Sequence, residues 1–286
     1  MARRIQQLLV VGAGQMGNGI AQVAAAAGLD VILNDISLAY AQKGLRNIEH
    51  NLSRLVAKGK LADVEKQAIL SRIALSEDFE DGAQVDMAIE AATENLDIKL
   101  DIFRRLDEVV RPEAILATNT SSLPITEIAA VTGRPELVIG MHFMNPVPVM
   151  QLIEVIRGLA TSDEVYDTVM ELSRSLGKHP VEVQDFPGFV SNRVLMPMIN
   201  EAIYCVYEGV SKPEDVDAVM KMGMNHPMGP LQLADFIGLD TCLSIMEVLY
   251  EGFADSKYRP CPLLRKYVKA GWLGKKVGRG FYVYES

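Results

Sequence analysis

The sequence predicts an α/β chain: a mostly parallel, doubly wound sheet with a helical arm inserted into it, followed by an all-α C-terminal domain. Three observations carry this expectation. Short apolar runs alternate with helical segments through the first half of the chain, the pattern of strands joined by crossover helices in a sheet covered on both faces. One crossover, between Asp35 and the next strand near Arg72–Leu75, is far longer than a single helix needs. After about Asp185 the short runs give way to nearly continuous helical sequence.

Taken in order, Leu8–Val11 is an apolar run ending in glycines, Asn18–Gly28 reads as a helix stopped by glycine, and Asp30–Asp35 is a second apolar run. This strand–turn–helix–strand unit predicts a right-handed βαβ crossover. The long insertion that follows reads as two helices meeting at Gly59, an arm whose Lys43, Arg46, Arg54, Lys58 and Lys60 make it locally basic. Such charge reads either as a solvated helical face or as a ligand surface. Further strands are expected at Val85–Ile89, Ile115–Ala117 and Leu137–Met141, with "QLIEVI" returning after the turn "NPVP". The second domain opens at Pro187–Gly188 with a long helix containing Pro197, a residue that kinks helices. It continues through "PEDVDAVMKMG", "GPLQLADFIGLDTCLSIMEVLYEG" and "PLLRKYVKAG". The expected division is therefore residues 1–185 and 186–286.

At 286 residues there is ample length for two ordinary domains. A net charge of −9 argues against a general nucleic-acid binder and supplies no attraction to an anionic membrane. Cys205, Cys242 and Cys261, odd in number and widely spaced, match neither a disulfide framework nor a zinc site, so no metal is expected. Reduced thiols and the absence of any signal-like or membrane-length apolar stretch make the cytoplasm the expected compartment.

"VVGAGQMGNGIA" places Gly12, Gly14 and Gly17 in G-x-G-x-x-G spacing after a strand and at the start of a helix, with Asp35 about twenty residues on. In that context the motif is a dinucleotide fingerprint of Rossmann type. Gly12 permits the tight turn, Gly14 admits a pyrophosphate, and Gly17 lets helix and strand pack closely. Ala13, Gln15 and Met16 complete the loop at the helix N-terminus, where free N–H groups favour an anion. Asp35 would bond the adenosine ribose and repel a 2′-phosphate, and no arginine adjoins it. NAD is thus expected over NADP, although FAD shares the fingerprint.

His142 falls at the carboxyl end of one expected strand and Glu154 on its return strand, so the turn could bring them together. They read either as a catalytic imidazole steered by a carboxylate or as a core histidine satisfied by a structural acid. Ser121 and Ser122 read as substrate contacts or as caps of the following helix. Asn192, early in the long second-domain helix, reads as a substrate amide or as an interfacial asparagine.

Seven segments, "VGAGQMGNGIAQ", "IEAATENLDIK", "NTSSLPITEIA", "GMHFMNPVPVMQLIEVI", "PGFVSNRVLMPMINEA", "NHPMGPLQLADFIGLD" and "GWLGKKVGRGFYVY", together resemble the 3-hydroxyacyl-CoA dehydrogenase family over essentially the whole chain. The resemblance implies an NAD-dependent oxidoreductase acting on short 3-hydroxyacyl-CoA substrates, interconverting 3-hydroxybutyryl-CoA and acetoacetyl-CoA. It implies His142 as catalytic base, Glu154 as its orienting carboxylate, and Asn192 and Ser121 at the reacting end of the substrate. Asp35, Glu94, Lys99, Ser121, Asn145 and Lys276 correspond to cofactor contacts, and Lys58 to a lysine that reaches the phosphates of coenzyme A. Family members dimerise through the helical domain, so a homodimer is implied. The alternatives are a dehydrogenase of a non-CoA hydroxy acid, of the L-gulonate type, and a non-catalytic NAD-binding homologue.

Overall fold

The computed structural model describes residues 2–284 and divides into two compact units, Met1–Phe186 and Pro187–Ser286. In the first unit, β1 (Gln7–Val11), α1 (Gln15–Ala26) and β2 (Asp30–Asn34) form the βαβ module. α1 starts at Gln15, a turn earlier than the apolar pattern suggested, so its first N–H groups belong to the glycine loop itself. The arm follows as α2 (Leu38–Ala57) and α3 (Asp63–Leu70), joined through Gly59 at φ +66°. Then come β3 (Ile73–Ser76), β4 (Met87–Glu90), α4 (Leu96–Val109), β5 (Ile115–Thr118), α5 (Ile125–Ala129), β6 (Val138–Phe143), β7 (Leu152–Arg157), α6 (Asp163–Ser175) and β8 (His179–Gln184).

The eight strands lie in one sheet in the order β3-β2-β1-β4-β5-β6-β7-β8. Every pairing is parallel except β6 with β7. Strands β4, β5 and β6 are buried at every position, as a sheet covered on both faces requires. The order reverses between β1 and β4. That switch point opens a crevice at the carboxyl ends of the strands.

β8 is an addition to the sequence reading. Its "HPVEVQ" buries only Pro180 and Val183 and carries a proline that cannot donate to a ladder. Both features suit the sheet edge on which it lies.

The second unit holds α7 (Ser191–Tyr207), α8 (Pro213–Gly223), α9 (Pro230–Ile237), α10 (Leu239–Phe253) and α11 (Pro262–Lys269). Pro197 sits inside α7, which continues through it. The stretch read as one helix after Gly229 breaks at Gly238, whose φ of +106° an L side chain rarely adopts. Met196, Ile199, Ile203, Leu239, Met246 and Leu249 are central to its own apolar core. Among the described residues no helix is long and apolar enough to cross a membrane.

Candidate active site

The glycine loop sits at the switch point. Gly12 has φ +97°, and a Cβ there would lie 2.7 Å from the Ala91 carbonyl oxygen, so the loops after β1 and β4 meet with no room for a side chain. A Cβ on Gly17 would stand 1.6 Å from the Gly12 oxygen; only glycine allows α1 to leave β1 at this angle. Gly14 differs from both. Its φ is an ordinary −62°, and an added Cβ would meet nothing within 4 Å. Protein packing therefore does not require glycine at position 14. The space its missing side chain leaves opens on the N-terminus of α1, as close approach of a ligand backbone or phosphate requires.

Asp35 follows β2, and one of its oxygens accepts the Ala13 N–H at 2.7 Å while the other accepts the Ile36 N–H at 2.8 Å. The carboxylate is thus fixed beside the loop with lone pairs left for a hydroxyl. A cavity of about 920 Å³ runs from Gly12, Gly14 and Met16 past Asp35 to Phe79 and Ile102. Its mixed lining, apolar walls with Asp35, Glu77, Asp101 and Arg105 among them, fits a nucleoside. Arg105 places its guanidinium 4.8 Å from the centre of the Phe79 ring at the cavity edge.

His142 and Glu154 stand directly opposite each other in the antiparallel β6–β7 ladder, where side chains on one face approach closely. Nδ1 lies 2.8 Å from a Glu154 carboxylate oxygen, and both residues are buried. An ionised carboxylate only accepts, so Nδ1 carries the proton and Nε2 presents its lone pair. Next along β6, the Phe143 N–H is taken at 2.9 Å by the side-chain oxygen of Asn119, which extends the ladder past the end of β5. On the turn beyond, Gln15 donates to the Asn145 side-chain oxygen at 3.0 Å, tying the imidazole's loop to the glycine loop. A Cβ on Gly19 would crowd Val147 at 2.8 Å, so α1 packs tightly on the same turn.

Ser121 donates its N–H to Glu94 at 2.8 Å. Thr120 and Ser122 donate their hydroxyls to the same Glu94 oxygen, at 2.6 and 3.3 Å. The serines do not cap α5: its first N–H groups, of Ile125 and Thr126, are taken by Asp185 at 3.0 and 2.7 Å. Lys99 is nearly fully buried and spans Glu90, at 2.7 and 2.9 Å, and Glu94, at 3.4 Å. Glu90 was not singled out from the sequence. A glutamate ending a run of four buried strand residues, "MAIE", was the available signal.

Along the arm, Lys58 is exposed at the C-terminus of α2, while Lys43, Asn47 and His50 line a second cavity of about 410 Å³ that reaches Gly14 and Asp35. Lys43 was noted only for its charge, and His50 escaped notice because one histidine on a polar helix carries no pattern. In the second unit, Asn192 is buried in the first turn of α7. Lys276 there is held by both oxygens of Asp240, at 2.6 and 2.7 Å.

Comparison with known proteins assigns both units. Residues 7–186 match the NAD-binding domain of 3-hydroxyacyl-CoA dehydrogenase, and residues 188–284 match its C-terminal domain. The chain is 65% identical over 282 residues to a probable 3-hydroxybutyryl-CoA dehydrogenase of Bacillus subtilis, covering 99% of this chain and 98% of that protein. It is 57% identical over 286 residues to the 3-hydroxybutyryl-CoA dehydrogenase of Bradyrhizobium diazoefficiens, covering 100% and 98%. Its backbone resembles the crystal structure of (S)-3-hydroxybutyryl-CoA dehydrogenase from Ralstonia eutropha with a TM-score of 0.97 at 53% identity, covering 99% and 100% of the two chains.

Proposed function

The chain belongs to the 3-hydroxyacyl-CoA dehydrogenase family, and from that premise we propose that it interconverts (S)-3-hydroxybutyryl-CoA and acetoacetyl-CoA with NAD, using His142 and Glu154 as its acid–base pair. The observation that carries the reading is the buried 2.8 Å contact of Nδ1 with Glu154 at the carboxyl end of the sheet. Bound NAD supplies the hydride acceptor. The protein's own task is the proton. In the oxidation direction Nε2 takes the proton of the C3 hydroxyl, and Glu154 stabilises the imidazolium that forms. In reduction the same imidazolium returns the proton to the C3 oxygen.

Asp35 takes the ribose hydroxyls, and the backbone of Gly12–Gly17 with the α1 N-terminus takes the pyrophosphate. Glu94, Lys99, Asn145 and Lys276 belong to the cofactor set, and Ser121 and Asn192 to the reacting end of the substrate. The basic arm, with Lys58 and with Lys43 and His50 at its cavity, receives the phosphates of coenzyme A, which reconciles an acidic protein with a polyanionic substrate. A cytoplasmic location is supported by three unpaired thiols. Dimerisation through the second unit is supported by Val210, Met222, Met224 and Phe236, all at least 60% exposed there.

The test is NADH oxidation with acetoacetyl-CoA beside free acetoacetate. Turnover confined to the thioester supports the reading. Equal turnover of the free acid would remove the coenzyme A assignment.

A further inference from the structure

Glu90 and Lys99 form an ion pair whose side chains are 0% and 1% exposed. Stability alone does not account for it, because apolar residues of similar volume replace such pairs at little cost or with a gain. Its connections point to another role. Glu90 ends β4, opposite Val11 on one side and Thr118 on the other. Its carboxylate accepts from the Ala92 N–H at 2.6 Å, the Thr118 hydroxyl at 2.7 Å and the Lys99 ammonium at both oxygens. Its backbone oxygen takes the Asn119 N–H at 2.7 Å.

From Lys99 the chain of contacts runs to Glu94, and from Glu94 to Thr120, Ser121 and Ser122. The turn so gripped includes Asn119, whose side chain holds the residue after His142. Glu94 accepts its three loop donors on one oxygen and faces Lys99 with the other. An ammonium shared with Glu90 leaves Glu94 in place. Released from Glu90, the ammonium would have Glu94 as its remaining carboxylate partner and would draw it from the loop.

We propose that Glu90 is a positioning residue: through Lys99 it fixes Glu94, and through Glu94 it fixes the Asn119–Ser122 turn that presents Ser121 to the substrate. The proposal rests on the active-site reading above and adds a residue that acts without touching substrate or cofactor. Glu90→Gln keeps an acceptor for Ala92, and with it the bond at the wall of the nucleotide cavity, while it removes the charge and turns a donating amide toward Lys99 and Thr118. Loss of register at Ser121 should lower kcat by about 10- to 100-fold, the scale of a misplacement near 1 Å.

The experiment is a double-mutant cycle of Glu90→Gln and Ser121→Ala, together with the uncharged pair Glu90→Gln/Lys99→Met. That pair leaves no lone buried ammonium, so the proposal stays testable should Glu90→Gln alone fail to fold. The expected results are kcat losses that fail to add across the cycle, and faster amide hydrogen exchange across residues 119–122 both in Glu90→Gln and in an uncharged pair that melts near the wild type. Additive losses, or unchanged exchange in those amides, would overturn the proposal. A wild-type protein inert toward acetoacetyl-CoA would overturn the active-site reading instead, and the exchange measurement would still decide the positioning role.

Discussion

At the scale of single residues, the site depends on charges that burial makes costly unless they are paired. Glu154 is 2% exposed and His142 6%, so removing one of them takes from the other a bond that burial makes costly to lose. Glu154→Gln preserves the shape but not the charge that holds the proton on Nδ1 and stabilises imidazolium. Its kcat should fall by at least tenfold, toward the ~10⁴-fold seen when the matching acid of a serine-protease triad is made an amide. Steady-state rates with a saturating acyl-CoA check this; an unchanged kcat would leave Glu154 a structural acid.

How much of this could be read from residues alone follows from the kind of spacing involved. The twelve-residue separation of His142 and Glu154 around "NPVP" implied a hairpin-like return, because the turn itself sets the partner. Glu90 and Lys99 were harder. Which of the charges in "IEAATENLDIK" become buried depends on how β4 pairs with β5, a long-range contact with no local signature. Lys99 was assigned by resemblance, and its enclosure by two carboxylates emerges only in three dimensions.

At the scale of elements, the glycine loop was legible because its chemistry is local: turn, helix start and acid follow in sequence. The structure separates the roles of its three glycines, two demanded by packing and Gly14 only by space for a ligand. Gly17→Ala would push a methyl into the Gly12 carbonyl, and the shift should cost about 1–3 kcal/mol, the usual range for overpacking. Loss of NADH binding should exceed loss of stability; thermal melts with fluorescence titration of NADH measure both. The arm was legible from its length and from Gly59. Lys58→Ala should raise KM for acetoacetyl-CoA more than it lowers kcat, and a fall confined to kcat would contradict the phosphate role. β8 and the break at Gly238 were not legible, the first because an edge strand needs few apolar residues, the second because a helical pattern runs through a glycine whose φ is set by the packed chain.

At the scale of the whole molecule, the chain divides into the units Met1–Phe186 and Pro187–Ser286. The second unit closes on itself through two aspartates. Asp217 accepts from Leu231 and Gln232 at the start of α9 and from the Tyr282 hydroxyl. Asp235 accepts from the N–H groups of Phe281 and Tyr282 and from the Tyr284 hydroxyl. Burial raises the Asp235 carboxyl above the usual aspartate range, outweighing its backbone hydrogen bonds. The folded state then binds that proton more tightly than the unfolded chain does. Its contribution is full at low pH and is lost as pH rises through the folded-state titration, the reverse of an ordinary paired carboxylate. Melting curves from pH ~4 to ~7 should show Asp235→Asn with a flatter decline on the alkaline side than the wild type; parallel curves would contradict the burial effect.

The most direct test of the account is the rate of acetoacetyl-CoA reduction by His142→Gln with NADH binding measured in the same preparation. Removal of the proton-transferring imidazole should lower kcat by about 10²–10⁴-fold with the NADH dissociation constant unchanged. A variant that binds NADH and turns over at close to the wild-type rate would contradict it.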